Sequence, residues 1–422
     1  MQINQDIMKS EYLNHIYQQW HISSTHFPDF LTEITLDEKI NHEVFVDSAL
    51  NDFKAHFHSF SQRIPFGRKN WRIKTLSLVH NVLATENIIG IHSVLKDEDL
   101  QKMQNEIGEF LSKAREFAKE LTFSDIGQAA RNYMVYMMFK EMNHINTGFS
   151  EACFGYSMLY PFTDNYIDNT NLSSAEKVTY NNMIREKIKG EPVNTESPHE
   201  RKTCKLLDFI DANYNRITDN SIHTLLLMML EAQEISMTQQ KKNNLSEADR
   251  LHISIYKGGI SVLIDRYLIN MALTEEDIIF YLSFGFFLQL ADDLLDISED
   301  IKSGSQTIFT LDTSREHLEN LINKLFNYVH CLFNNYKSRN EKFKNFILSN
   351  CYLLILYGVS ENRDSLSPTY LKVLEHYFPV RFMFLENIKN SLKQLNYAES
   401  QDTYMKILDE ILIYYANPKG KN

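Results

Sequence analysis

The chain has 422 residues and carries 55 acidic against 43 basic side chains, which gives a formal net charge of −12 at pH 7. A protein that binds nucleic acid neutralises phosphates with a cationic surface, so this charge argues against nucleic acid as a partner. With only 13 glycines and 8 prolines, the sequence is poor in the residues that build hairpins and turns. We therefore predict a large all-helical protein.

The N-terminus and the cysteines both indicate a cytoplasmic protein. The first six residues are polar and lack the basic-then-apolar layout of a signal peptide. The four cysteines lie far apart without C-x-x-C spacing, which is typical of reduced, packed thiols. No apolar stretch reaches transmembrane length without an interrupting charge. Any membrane contact would then be peripheral, for instance to collect a lipid substrate.

Capping patterns mark where helices begin in the middle of the chain. A serine or threonine followed three residues later by an acidic residue is typical of a helix N-terminus, and it occurs at Ser173, Ser246, Thr274 and Thr313. Together with apolar periodicity, these patterns predict helices at 97–121, 126–147, 151–169, 174–189, 199–216, 221–241, 247–271, 275–300, 314–337, 341–358, 367–392 and 399–415.

Nothing in the sequence divides these helices into separate domains. There is no Pro/Gly/Ser-rich linker, no internal repeat and no low-complexity tract. We expect an N-terminal helical extension over residues 1–120, packed on a helical bundle over residues 121–422. Antiparallel helices in such a bundle can enclose a central cavity.

The first group of residues that suggests chemistry is an acidic turn within residues 162–169. Asp164 and Asp168 are four residues apart and therefore share one face of the predicted helix, and Asn165 adds a neutral carbonyl oxygen beside them. Taken alone, this spacing is common on solvated helix faces.

A second acidic turn is more informative. Asp292, Asp293 and Asp296 have D-D-x-x-D spacing, and Gln289 lies one turn before them. The preceding run 278–288 is apolar on all sides, which indicates a buried helix, and a buried acidic triplet is costly without a cation. Ligation by oxygen alone suits Mg²⁺, which binds through a few carboxylates together with water and substrate phosphates. The spacing predicts a metal-diphosphate clamp that faces the first acidic turn across the bundle.

Lys257 precedes two glycines in the interior of a predicted helix. Each glycine costs roughly 1 kcal/mol relative to alanine there, so Gly258 and Gly259 need a physical reason. A kink would aim freed backbone groups and the Lys257 ammonium at a departing diphosphate. Close packing of two helices through the glycines would leave Lys257 exposed. Both explanations stay open.

These motifs together resemble the class I isoprenoid synthases, and most of all the bacterial large-terpene synthases, the group that includes tetraprenyl-β-curcumene synthase. The likeness lies in residues 164–169, 255–265, 289–296 and 299–300, and it covers about residues 125–310. All-trans prenyl diphosphate synthases share the F-x-x-Q-x-x-D-D-x-x-D pattern, which begins here at Phe286. The resemblance implies a class I terpenoid-synthase-like helical bundle around a central cavity.

The resemblance also implies an activity, the Mg²⁺-dependent ionisation of an allylic polyprenyl diphosphate to a cyclic or linear terpene, and it allows a homodimer. It implies metal ligation by Asp164, Asp168, Asp292, Asp293 and Asp296. It implies catalytic roles for Lys257, Asp292 and Asp164, and substrate contacts for Lys257, Gln289, Asn165, Tyr160 and Phe286.

A chain-elongating prenyl diphosphate synthase is the first alternative. Those enzymes have a second aspartate where this chain has Asn165, and an arginine pair that does not follow Asp168 here. The missing pair favours one diphosphate substrate rather than two, and hence a lyase. A basic cluster nonetheless keeps the elongating alternative open; it comprises Arg63, Arg68, Lys69, Arg72 and Lys74.

Two further alternatives come from other classes of protein. A non-catalytic isoprenoid-binding protein could retain the fold with a degraded clamp, although both acidic turns argue against it. A ferritin-like di-iron protein needs two E-x-x-H pairs on separate helices. Glu141 with His144 and Glu196 with His199 have that spacing. The acid-only triplet favours Mg²⁺ over iron.

Overall fold

The protein is all-helical, as the sequence predicts. The computed structural model describes residues 3–61, 68–169, 171–240, 244–398 and 401–416, and it contains no strand within those ranges.

The helices follow one another with short connections. A π-helical turn (Met8–Tyr12) joins the first two, and a 3₁₀ turn (Met237–Gln240) continues the tenth. In chain order they are α1 (Gln5–Ile7), α2 (Leu13–Ile22), α3 (Leu36–Ser61), α4 (Arg68–Thr85), α5 (Asp97–Phe117), α6 (Phe123–Met142), α7 (Glu151–Asp168), α8 (Ser174–Lys189), α9 (Pro198–Asp211), α10 (Ser221–Ser236), α11 (Glu247–Ile269), α12 (Glu275–Leu295), α13 (Ile297–Ser303), α14 (Arg315–Asn335), α15 (Glu341–Glu361), α16 (Pro368–Glu375), α17 (Phe382–Ala398) and α18 (Gln401–Ala416).

Three of the four capping predictions are confirmed. Ser173, Ser246 and Thr274 each accept a hydrogen bond from the backbone N–H three residues on, and the acidic residue there bonds back to the cap. The fourth prediction is wrong, because α14 begins after Ser314 rather than Thr313. The three confirmed caps begin α8, α11 and α12.

Two predicted helices are each split in the structure. The helix expected at 275–300 ends before Asp296, whose backbone leaves the helical region with φ −95° and ψ 10°, and α13 then begins. The helix expected at 367–392 is divided into α16 and α17 by residues 376–381. Pro379 lies in that connection, and proline lacks the N–H that a helix interior requires.

Contacts within the chain define two compact units. The first comprises residues 1–30 and 135–372, and the second comprises residues 31–134 and 373–422. This division differs from the boundary expected after residue 120, because the N-terminal residues cluster with the first unit and the C-terminal residues with the second. The domain boundary itself stays a prediction.

The core of the first unit is built around α11 and α12. α12 is apolar on all sides and buries aromatic side chains such as Phe280, Phe284 and Phe287, and it packs against α11, α14 and α15. By length and composition it would also suit a membrane span, a property that it shares with central helices of soluble proteins, and most of its apolar stretch is buried inside the protein.

Glycines allow α11 and α12 to touch backbone to backbone. A Cβ added at Gly258 would collide with the carbonyl oxygen of Gly285 and would lie 2.7 Å from Cβ of Gln289. A Cβ on Gly285 would lie 2.9 Å from Cα of Gly259. α11 runs without interruption through these glycines, and the close packing of the two helices accounts for them.

We expect Gly258→Ala to destabilise the protein by about 1–3 kcal/mol, because the added methyl group overpacks a contact between two backbones. Gly127→Ala in α6 is the matched control, since no atom lies within 4 Å of a Cβ at that position. It should be neutral or stabilise by up to about 1 kcal/mol, because it only removes the helix cost of glycine. Urea unfolding of both variants measures the difference, and equal stabilities would contradict the close contact.

The second unit contains the basic cluster noted in the sequence. Arg68 and Arg72 of α4 pair with the buried carboxylate of Glu410 on α18, whereas Lys69 and Lys74 are exposed. Arg63 lies outside the described residues. The two arginines therefore join α4 to α18.

Candidate active site

A polar cavity of about 270 Å³ lies in the first unit, where α7, α10, α11 and α12 approach each other. It brings together side chains from both acidic turns of the sequence. The lining residues are Asp164, Ile167, Gln233, Ser236, Met237, Gln239, Gln240, Lys257, Gln289, Asp292, Asp293, Asp296, Asp300, Ser305 and Thr307. The cavity is therefore acidic, with amide and hydroxyl groups beside its carboxylates.

Asp293 is the most deeply buried of the carboxylates of the second acidic turn, with 6% of its surface exposed. Gln289 Nε2 donates to its Oδ1 at 2.9 Å, and Ser254 Oγ donates to its Oδ2 at 3.4 Å. Burial raises the pKa of Asp293 to about 7, and the charges of Asp292 and Asp300 add to the rise. Without a cation, this carboxylate is thus costly to ionise at neutral pH.

The pKa values of two more carboxyls in the cavity are also raised. Burial, together with the charge of Asp296, raises the pKa of Asp300 to about 6. Burial also raises the pKa of Asp296 itself, and Asp292 and Glu299 add to it. A cluster of carboxyls that all resist ionisation favours the binding of a cation.

Lys257 supplies positive charge to this cavity. Among the described residues that line it, Lys257 is the only basic one. Lys257 lies on α11 next to the glycines that contact α12, and the charge of its ammonium lowers the pKa of Asp293. The structure thus combines the two sequence hypotheses, since the glycines pack closely and Lys257 still faces the acidic turn.

Asp164 from the first acidic turn is held on the opposite wall. Gln233 Nε2 of α10 donates to its Oδ1 at 2.6 Å, and Thr163 Oγ1 donates to the same atom at 3.0 Å. These bonds fix the carboxylate at the end of α7, so one of its oxygens is already occupied.

An apolar pocket of about 40 Å³ adjoins the polar cavity and shares Asp164 and Gln233 with it. Helices α7, α8, α9 and α10 form its walls. The lining residues are Tyr156, Leu159, Tyr160, Thr163, Asp164, Ile184, Ile188, Leu207, Leu226, Met229, Leu230 and Gln233. The volume is that of roughly three water-sized probes, so the pocket is narrow.

The structure does not bring every sequence-predicted site residue to these cavities. Asn165 is exposed and lines neither of them. Phe286 is fully buried elsewhere, where its ring meets Trp20 and Tyr328 edge to face at 5.6 Å each. Phe286 lies one turn before the part of α12 that lines the polar cavity. At that turn α2 and α14 cover the helix. The side chain of Asp168 lies outside the described part of the chain.

Gln233 and Asp300 are among the lining residues of the polar cavity that were absent from the sequence-predicted site. Gln233 stands alone on α10 and forms no pattern with its neighbours, so only the fold reveals that it faces Asp164. Asp300 did carry a signal, because it follows Asp296 at the same four-residue spacing as Asp296 follows Asp292.

The described acidic side chains do not by themselves form a complete metal cage. Within the described side chains, no three carboxylate, imidazole or thiol groups lie close enough to hold a metal ion by themselves. Mg²⁺ differs from zinc or iron in this respect, since one or two carboxylates commonly hold it while substrate phosphates and water complete its shell. The carboxylate oxygens present fit that mode of binding.

We expect the stability of the metal-free protein to fall as pH rises from about 5 to about 8. Folded-state pKa values of about 7 for Asp293 and about 6 for Asp300 lie above those of an unfolded chain. Their protonation therefore stabilises the fold fully below about pH 4, and this contribution is lost as pH rises through the folded values. The loss should be on the order of a few kcal/mol.

Millimolar Mg²⁺ should raise the unfolding temperature near pH 8 and have little effect near pH 5, where protons compete for the carboxyls. Differential scanning fluorimetry in chelator and in Mg²⁺ measures both effects. Asp293→Asn should flatten the pH dependence of the chelated protein. An Mg²⁺ response of equal size at both pH values would contradict this assignment.

No family model matches the sequence, and neither a curated protein nor a solved structure is significantly similar to it. The motifs and the geometry of the cavities therefore carry the functional argument.

Proposed function

We propose that the protein is a Mg²⁺-dependent class I terpene synthase that ionises an allylic polyprenyl diphosphate, within a class I terpenoid-synthase-like bundle. One observation carries the proposal. Asp164 of the first acidic turn, the three aspartates of the second turn and Lys257 line one polar cavity, which shares Asp164 and Gln233 with an apolar pocket. An amphiphile would place an anionic head in the polar cavity and direct a hydrocarbon tail towards the apolar pocket.

Asp164, Asp292, Asp293 and Asp296 would hold the metal, with Asp168 as a further ligand by resemblance. Bound Mg²⁺ neutralises negative charge as it develops on a leaving diphosphate. The diphosphate would complete the metal shell beside the carboxylates that line the cavity.

The residues of the chain have distinct tasks in this proposal. Lys257 donates N–H groups to the departing diphosphate and stabilises its charge. Gln289 and Gln233 hold the carboxylates of Asp293 and Asp164 in position through the hydrogen bonds described above. The apolar walls exclude water from the allylic cation. Because the pocket measures only about 40 Å³, a prenyl chain enters it only when wall side chains such as Met229 move.

The chain-elongating alternative requires a second, cationic diphosphate site. Its candidate residues Arg68 and Arg72 are already paired with Glu410, which weakens that alternative. A ferritin-like protein would need a complete iron cage of carboxylate and imidazole groups. His199 is instead engaged by Tyr180 and by the carbonyl oxygen of Phe162.

The experiment is to incubate the purified protein with allylic diphosphates from C10 to C35, with and without Mg²⁺, and to measure released diphosphate and organic products. We expect Mg²⁺-dependent hydrocarbon or alcohol from at least one of them. Added isopentenyl diphosphate should yield no longer prenyl diphosphate, and such a product would favour the elongating alternative. Tight binding without turnover would favour a non-catalytic binder.

A further inference from the structure

The break between α12 and α13 lies within the group of carboxylates that lines the polar cavity. Asp293 belongs to α12, Asp296 is at the break, and Asp300 belongs to α13. All three line the same cavity, so the geometry of the break decides how the carboxylates on its two sides face one another. Neither proline nor glycine occurs between residues 290 and 300. The usual local causes of a helix break are therefore missing.

The break takes the helical donors away from two carbonyl groups at the end of α12. In a continuous helix the N–H of Ser298 would bond to the carbonyl oxygen of Leu294, and the N–H of the next residue to that of Leu295. In the structure that next N–H, of Glu299, donates instead to the carbonyl oxygen of Asp296 at 2.9 Å. A buried carbonyl group without a donor is costly. These two oxygens therefore need a donor from elsewhere in the fold.

Asn362, which directly follows α15, supplies this donor. Its Nδ2 donates to the carbonyl oxygen of Leu294 at 2.7 Å and also lies 3.3 Å from that of Leu295 and 3.0 Å from that of Gly358. Only the nitrogen of the amide can donate, so these three oxygens fix its orientation, and the residue is buried. A Cβ added at Gly358 would lie 2.9 Å from Cγ of Leu294. The glycine thus brings α15 close enough for this short side chain to reach α12.

The far end of α13 is held as well. In the loop that follows it, the Gln306 N–H donates to the carbonyl oxygen of Gln239 at 3.0 Å, and Gln239 Nε2 donates back to the carbonyl oxygen of Gln306 at 3.2 Å. The buried Arg250 of α11 donates from Nη1 to the carbonyl oxygen of Thr307 at 2.7 Å. α13 is thus held at both ends, and a change in the dihedral angles at the break would swing it away from this second set of contacts.

We propose that Asn362 is a positioning residue, which maintains the break and thereby sets the direction of Asp296 and Asp300 relative to Asp293. Without its Nδ2, the nearest replacement donors for the two carbonyl groups are the N–H groups one turn further along the chain, and bonds to them would join α12 and α13 into one helix. The carboxylates on α13 would then change direction relative to those on α12. The consequence for Mg²⁺ rests on the proposed function, in which these carboxylates share the metal.

The first test is hydrogen exchange at the Ser298 amide, which needs neither metal nor turnover. This N–H lies in the first turn of α13, where a helix offers it no carbonyl of its own. We expect Asn362→Ala to lower the unfolding temperature and yet to slow this exchange roughly tenfold, because the amide then bonds to Leu294. Asn362→Leu, which fills the space but cannot donate, should do the same. A residue with only a structural role gives the opposite sign, since lost stability speeds exchange. Faster or unchanged exchange in both variants would overturn the proposal.

The second test is calorimetric titration with magnesium diphosphate. We expect Asn362→Ala to weaken its binding roughly tenfold, because the carboxylates on the two sides of the break no longer converge. Ile355→Ala is the matched control, since this fully buried side chain of α15 makes a comparable or larger contribution to stability. The control should change the affinity by less than about twofold and should not slow exchange at Ser298.

Equal affinities of Asn362→Ala and Ile355→Ala for magnesium diphosphate would overturn the positioning role and leave the proposed function intact. Absence of diphosphate release from allylic diphosphates by the parent protein would instead sink the proposed function. The exchange at Ser298 would still decide whether Asn362 maintains the break.

Discussion

Replacing Asp293 with asparagine should lower Mg²⁺-dependent diphosphate release by about two orders of magnitude or more and should at the same time raise the unfolding temperature. The carboxylate is buried and its pKa is raised to about 7, so its ionisation costs stability at neutral pH. A neutral amide of the same shape relieves that cost. Loss of function with gain of stability distinguishes a ligand from a structural residue.

Asp292→Ala should lose activity to a similar extent with a smaller gain of stability, because that side chain is exposed and its charge adds only part of the rise in the pKa of Asp293. Glu276→Gln is the matched control, since Glu276 is exposed near the start of α12 and does not line the polar cavity. Steady-state release of diphosphate and thermal unfolding measure the two effects. If the activity of Asp293→Asn stayed within a few-fold of that of the parent protein, this turn would not be part of the metal site.

Replacing Lys257 with methionine should lower turnover at least a hundredfold, which corresponds to the removal of a charge-stabilising donor of roughly 3 kcal/mol. Lys257→Arg should recover part of the loss, because a planar guanidinium restores the charge without the compact geometry of an ammonium. Lys302→Met, an exposed lysine outside the cavity lining, should have no effect on turnover.

The charge of Lys257 also lowers the pKa of Asp293, so its loss has a second consequence. In Lys257→Met the carboxyl should ionise at higher pH, and the pH needed for half of the maximal Mg²⁺ affinity should rise. Titration of Mg²⁺ at several pH values measures this shift. Unchanged kinetics together with an unchanged pH profile of Mg²⁺ affinity would show that Lys257 is a solvated side chain with no part in the reaction.

Sequence reasoning predicted the helices best where local chemistry marks their ends. The caps at Ser173, Ser246 and Thr274 act within one turn, so the signal and the structure lie in the same few residues. The break at Asp296 and the division at residues 376–381 depend on tertiary contacts and on Pro379. The same capping pattern occurs before α3, where Thr35 and Glu38 form a capping box, but the sequence prediction did not use it and gave only an extension there.

The residues of the candidate site were likewise predictable where the signal is local, and not where it depends on the fold. The i, i+4 spacing of Asp292 and Asp296 indicates a shared face because helix geometry is local, and both line the cavity. Whether Phe286 meets that cavity depends on which helices cover α12 one turn earlier. The partner of Asp164 is Gln233, 69 residues away along the chain, and no periodicity links two such positions.

The backbone contact between Gly258 and Gly285 has a consequence for the timescales of the site. No side-chain rotation can separate the backbones of α11 and α12 at this contact, so these helices part only when the core of the first unit opens. Amide hydrogens near the two glycines should therefore exchange with solvent only through global unfolding of that unit. Those at the ends of α7, α10 and α13 should exchange through smaller openings. One wall of the cavity would then be fixed before any ligand arrives, and the other would be ordered by the ligand.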